Sequence, residues 1–173
     1  MAGRSPTEAV QSFVEPFQRS LSCATLSVVS ARGGYHHSDR PHTLFLGRGA
    51  PQRLRGAPIA IRVALYYRII ESSEGPLSLW KATATGYQYT LEDLEEHEIL
   101  AYHWHPDASL TFPHLHLGQG AAVGRPELQT AHLPTGRISV EQFLRVCFGD
   151  FKAEPLRDNY QAILAESELA TSR

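Results

Sequence analysis

The residues best able to do chemistry lie in one short stretch, Ala101-Tyr102-His103-Trp104-His105-Pro106 followed by Pro113-His114-Leu115-His116-Leu117-Gly118. Side chains alternate across a β-strand, so each H-x-H presents two imidazoles to one face, about 6.5–7 Å apart. If the two segments pair as a hairpin, all four rings can share one patch. Proline has no N–H to give a ladder, which places Pro106 and Pro113 at the limits of the paired region. In that register His105 opposes His114 and His103 opposes His116, with opposed Cβ atoms roughly 5 Å apart. A one-residue slip or a bulge sends the pairs to opposite faces.

Such a patch suits two kinds of chemistry. A transition metal such as Zn²⁺ takes imidazole ligands readily, and two or three of them with an open position make a catalytic site. Without metal, neighbouring imidazoles serve as general acid and base for phosphodiester cleavage, because they titrate near neutrality. His103, His105, His114 and His116 are thus candidates both as catalytic groups and as metal ligands. The expected activity is a phosphodiesterase or ribonuclease-like hydrolase acting on RNA or a nucleotide. Two further readings compete: a non-catalytic metal-binding or protein-interaction module, and half-exposed strand histidines with no chemistry.

Arg62 and Arg68 lie on the mixed face of a long strand and are candidates to hold substrate phosphate, with salt bridges to the acidic run Glu92-Asp93-Leu94-Glu95-Glu96 as the commoner outcome. His36, His37 and His42, with Asp39 and Arg40, form a second cluster in a stretch rich in glycine, proline and arginine. Such a loop reads as solvated, or as able to close over the hairpin. His97 and His132 stand singly and read as surface residues.

The elements that must position these groups follow from periodicity. Ser5-Pro6-Thr7-Glu8 is a capping box with proline at the first helical position, and Val10, Phe13, Val14, Phe17 and Leu21 recur at helical spacing. Pro16 is expected to kink that helix or end it early. Residues 24–31 form a short strand; residues 33–57 read as a mobile loop region with at most a short edge strand. From Ile59 to Ile69 apolar and mixed positions alternate strictly, and a turn at Glu74-Gly75-Pro76 leads into a second β-rich run over residues 77–91. After the histidine hairpin, Ser139-Val140-Glu141-Gln142 opens a helix, another starts near Pro155, and residues 167–173 read as a frayed tail. The prediction is a single α+β domain: an antiparallel sheet of four to six strands, with an N-terminal helix and two C-terminal helices packed on it.

Composition sets the bounds. A chain of 173 residues, 42% hydrophobic and 20% charged, can bury a core without disulfides or metal. Its net charge of −2 argues against bulk, non-specific nucleic-acid binding, although fourteen of the sixteen basic residues are arginine. Cys23 and Cys147 fit no metal-ligand spacing and read as buried thiols in a reducing compartment. With no leader-like apolar region and no long apolar stretch, a cytoplasmic chain without membrane contact is expected.

The segment holding Tyr102, His103 and His105, the Pro113-His114-Leu115-His116 run and the helix opening Arg137-Ile138-Ser139-Val140-Glu141-Gln142-Phe143 together resemble the TumE-type toxins of toxin–antitoxin pairs, over roughly residues 58–150. The resemblance implies an antiparallel sheet with flanking helices, an RNA-directed activity and a small antitoxin-like protein partner. This chain departs from the pattern in its length, with an extra N-terminal helix and loop. His114-Leu115-His116-Leu117 also resembles the first two places of the histidine-triad hydrolase signature, but Gly118 stands where the third histidine belongs.

Overall fold

A computed structural model describes residues 2–36, 40–72 and 79–171. His37, Asp39 and the Glu74-Gly75-Pro76 turn lie outside them. The architecture is α+β, as periodicity predicts, but the sheet is larger: nine antiparallel strands instead of four to six. The main path runs β2 (Val29–Arg32), β3 (His42–Leu46), β5 (Ile59–Ser72), β6 (Leu79–Asp93), β7 (Glu98–Trp104), β8 (His114–Leu117), β9 (Leu133–Pro134). The two-residue strands β1 (Ala2–Gly3) and β4 (Gln52–Arg53) add to β6 and β5. The excess consists of these short strands, which have too few residues to display an alternation.

Helix α1 (Pro6–Leu21) starts as its sequence dictates: the Ser5 side chain accepts from the Glu8 N–H, and Pro6 occupies the first turn. It does not end at Pro16, which sits inside a helix running on to Leu21. The buried stripe of Val10, Phe13, Phe17 and Leu21 faces the sheet, with the Phe13 and Tyr67 ring centroids 5.6 Å apart. Helix α3 (Val140–Gly149) has a full capping box between Ser139 and Gln142. It lays Phe143 against Tyr89 and Tyr102, and Phe143 and Leu144 are fully buried. Burying each is worth about 1.5–3 kcal/mol relative to exposure. A third, four-residue helix, α2 (Glu127–Thr130), precedes β9.

Three expectations need correction. The 33–57 stretch holds β3, which is internal to the sheet between β2 and β5, with Leu44 and Leu46 fully buried; its alternation over five residues is masked by the glycines and prolines around it. The last helix, α4, spans Tyr160–Thr171 instead of starting near Pro155. The tail is helical through Thr171, because Ser167 sits in the core beside Ile163 and Leu164. As far as Thr171, this segment is therefore packed helix and not frayed; residues 172–173 lie outside the described residues.

Strand alternation divides the sheet cleanly. Leu65, Tyr67, Tyr87, Tyr89, Tyr102 and Trp104 point to the helices and form the core with them. The other face carries Tyr66, Gln88, His103, His105, His114 and His116.

Candidate metal centre

The histidines do share one patch, though in a different register from the one the prolines suggest. His103 pairs with His114, and Ala101 with His116. The shift is two residues, so parity is kept and every imidazole stays on its face. His105 lies beyond the end of β7: its carbonyl accepts the Ala108 N–H in a turn and is lost to the ladder. Its ring remains close, 5.6 Å from His103 and 5.4 Å from Tyr66 between centroids.

His103, His114 and His116 come together most tightly. One ring nitrogen from each lies within 4.8 Å of the other two. Around tetrahedral zinc, with Zn–N near 2.0–2.1 Å, neighbouring ligand atoms sit about 3.3 Å apart, so the rings need to close by up to about 1.5 Å. Ring centroids are 5.6 Å apart for His103–His114 and 5.0 Å for both His103–His116 and His114–His116.

The protonation states suit ligation. The Phe112 carbonyl, which can only accept, lies 2.9 Å from His114 Nδ1. Nδ1 is therefore the donor to that carbonyl, which leaves Nε2 as the nitrogen able to ligate, the arrangement that orients metal-binding histidines. His103 Nε2 is buried and has no hydrogen-bond partner among the described residues. Burial, and then the neighbouring imidazoles, hold the His103 pKa down at about 4. Burial likewise lowers His105 and His116, helped by His114 for the first and by His132 and His114 for the second. His103, His105 and His116 are thus drawn towards the neutral, lone-pair-bearing form.

His132 is the residue that sequence reasoning missed. Reading it as exposed is right, but it does not stand alone: its ring lies 4.3 Å from that of His116 and 5.1 Å from that of His114. Strand β9 puts it there by pairing Leu133 with Leu115. The trace in the sequence is slight, one apolar residue between His132 and Pro134. His97 is a surface residue, its Nδ1 3.1 Å from Asp93 Oδ2.

Of the second histidine cluster, the described His42 lies on the opposite face of the sheet from the first. His42 is buried on the helix-facing side of β3, its Nε2 2.8 Å from the His36 carbonyl and its ring 5.3 Å from Tyr67. It ties the His36 backbone to the core.

The two arginines differ. Arg62 is fully engaged: Nε donates to Glu92 and Nη2 to Glu96, each at 2.6 Å, and Nη1 donates to the Gly49 carbonyl. These are the acidic-run salt bridges, and they raise the Arg62 pKa chiefly through the Glu92 hydrogen bond. Arg68 has only a loose pairing with Asp107 at 3.6 Å, and its Nε is buried without a hydrogen-bond partner. Cys23 and Cys147 are both buried free thiols. Among the described residues no helix is long and apolar enough to cross a membrane.

The chain matches no protein-family model, and neither a curated protein nor a solved structure is significantly similar to it.

Proposed function

We propose that His103, His114 and His116 bind one divalent transition metal, zinc being the natural choice for an all-imidazole set, and that the loaded centre makes the chain a phosphodiester hydrolase. One observation carries the reading: three imidazole donors, His114 buried and His103 and His116 half-buried, gathered within 4.8 Å on the sheet face opposite the core helices. The metal would supply a water of lowered pKa as nucleophile. His105 and His132 flank the three ligands, and Arg68, whose partly exposed guanidinium has only the 3.6 Å pairing with Asp107, is the phosphate-holding group. Arg62 drops from that role because its donors are taken.

A metal-free acid–base mechanism is less well supported. It needs one protonated imidazole at neutral pH, and burial with crowding pushes His103, His105 and His116 the other way. Single-stranded RNA is the substrate to try first, and a small antitoxin-like protein the partner to seek.

The test uses protein purified without a histidine tag. Elemental analysis should find one zinc per chain, lost from a His103→Ala/His116→Ala variant that keeps its far-ultraviolet spectrum. RNA cleavage should disappear with a chelator and return with zinc, and Arg68→Gln should raise KM while leaving zinc content unchanged. Cleavage that persists in metal-free protein would replace this reading with acid–base chemistry. Zinc bound without any hydrolysis would leave a structural or regulatory centre.

A further inference from the structure

The helix-facing side of the sheet holds a second candidate site, independent of the histidines. Between the sheet and helices α1, α3 and α4 lies a cavity of about 530 Å³, within the size range of small-molecule sites. One wall is aromatic. Tyr87 and Tyr89 are stacked with centroids 4.7 Å apart and planes 11° from parallel, and Trp104 lies 6.0 Å from Tyr87. Ala84, where a larger residue would fill the space, keeps the cavity open.

Four charged side chains line the cavity: Lys81, Arg137, Glu141 and Glu168, the last paired with Arg145. The Arg137 guanidinium stacks on Trp104, 3.9 Å from the ring centroid. It has no carboxylate partner among the described residues, so its in-plane N–H donors remain available. The Ile138 N–H donates to the Tyr87 hydroxyl at 2.9 Å, which fixes the backbone beside that arginine. Glu141 is 1% exposed, with Oε1 accepting from the Ser20 hydroxyl at 2.6 Å. Among the described residues it forms no ion pair, although Lys81 lines the same cavity.

From this arrangement we propose that the cavity binds a small planar aromatic acid bearing a hydrogen-bond donor. Its ring system lies against the small surfaces that Tyr87 and Trp104, 3% and 8% exposed, leave on the cavity. Its anionic group pairs with Arg137, where the guanidinium face is held by the indole and the edge is open for a bidentate contact. Its donor, an N–H or O–H, reaches towards Glu141. A purely apolar ligand would leave Arg137 unanswered, and an anion placed beside Glu141 would be repelled.

The dye 8-anilino-1-naphthalenesulfonate has all three features: fused rings, a sulfonate and an anilino N–H. With the wild-type chain it should bind saturably at one site and quench tryptophan fluorescence, a quench removed by Trp104→Phe but kept in Trp80→Phe. Arg137→Gln, a change at an exposed side chain, should weaken binding about tenfold with an unchanged unfolding midpoint. Ala84→Leu should abolish binding by filling the space; should that variant fold poorly, Arg137→Gln alone decides. Non-saturating dye binding, or affinity unchanged in Arg137→Gln, would overturn the proposal. Zinc content is not part of this readout, so the two sites stand or fall separately.

Discussion

His103 and His114 face each other as directly paired residues of neighbouring antiparallel strands, one with a buried, unpartnered Nε2 and the other with its Nδ1 hydrogen committed to the Phe112 carbonyl. The backbone fixes the second ring, and burial keeps the first in its neutral form. On the proposed reading, any metal affinity of the pair would be set before a metal arrives.

His132→Ala should separate ligands from neighbours. Its ring touches that of His116 but is not one of the three convergent donors. Zinc stoichiometry should stay at one per chain while affinity falls about tenfold, the scale of losing an outer-shell partner. His116→Ala should lose at least about 100-fold. Competition with a chromogenic chelator reads both, and equal losses would place His132 among the ligands.

Metal should stabilise the fold by mass action. At free zinc 100 times its Kd the gain is about 2.7 kcal/mol. For a chain of this length that corresponds to an increase in Tm of roughly 5–10 °C. Scanning calorimetry with and without zinc checks this, and the His103→Ala/His116→Ala variant should show no increase.

Stability of the metal-free chain should fall on the acid side. His103 is held at about 4 in the folded state against an ordinary imidazole value of 6.5. Between those values the unfolded chain takes up a proton that the folded chain refuses, so folding stability is fully present above pH 6.5 and drains away as pH drops towards 4. His105 and His116, also lowered, act in the same direction. Urea midpoints measured from pH 7.5 to 4 should show this slope, and His103→Phe should flatten it.

The Arg62 cluster should behave as structure. Glu92 is 6% exposed, and Arg62→Ala would strand its carboxylate. Cutting a buried pair costs about 3–5 kcal/mol, and Arg62, whose side chain is 36% exposed, should fall somewhat below that range, at about 2–4 kcal/mol. Glu96→Gln, at a side chain 64% exposed, should cost under about 1 kcal/mol. Denaturant unfolding of both variants decides, and a stable Arg62→Ala chain would return that residue to the candidates for substrate binding.

Core faces and helix starts were legible in the sequence because each is a local pattern: the Ser5 and Ser139 caps, the helical stripe of α1, the alternation from Ile59. The sharing of one face by the four histidines was legible for the same reason, since parity survives a two-residue slip. The register was not. It depends on His105 giving its carbonyl to Ala108, a turn that the bracketing prolines do not specify. Nor was His132, because β9 is two residues long and reaches the hairpin from across a separate loop. Its pairing with Leu115 is a tertiary event with almost no local signature.

Strand β7 supplies His103 to one side of the sheet and Tyr102 and Trp104 to the other, where Phe143 and Tyr87 hold them. An imidazole on that strand cannot drift without pulling an indole out of its packing. The histidine patch thereby borrows its stiffness from the oily layer behind it, and repacking that layer would detune the donors without altering one of them.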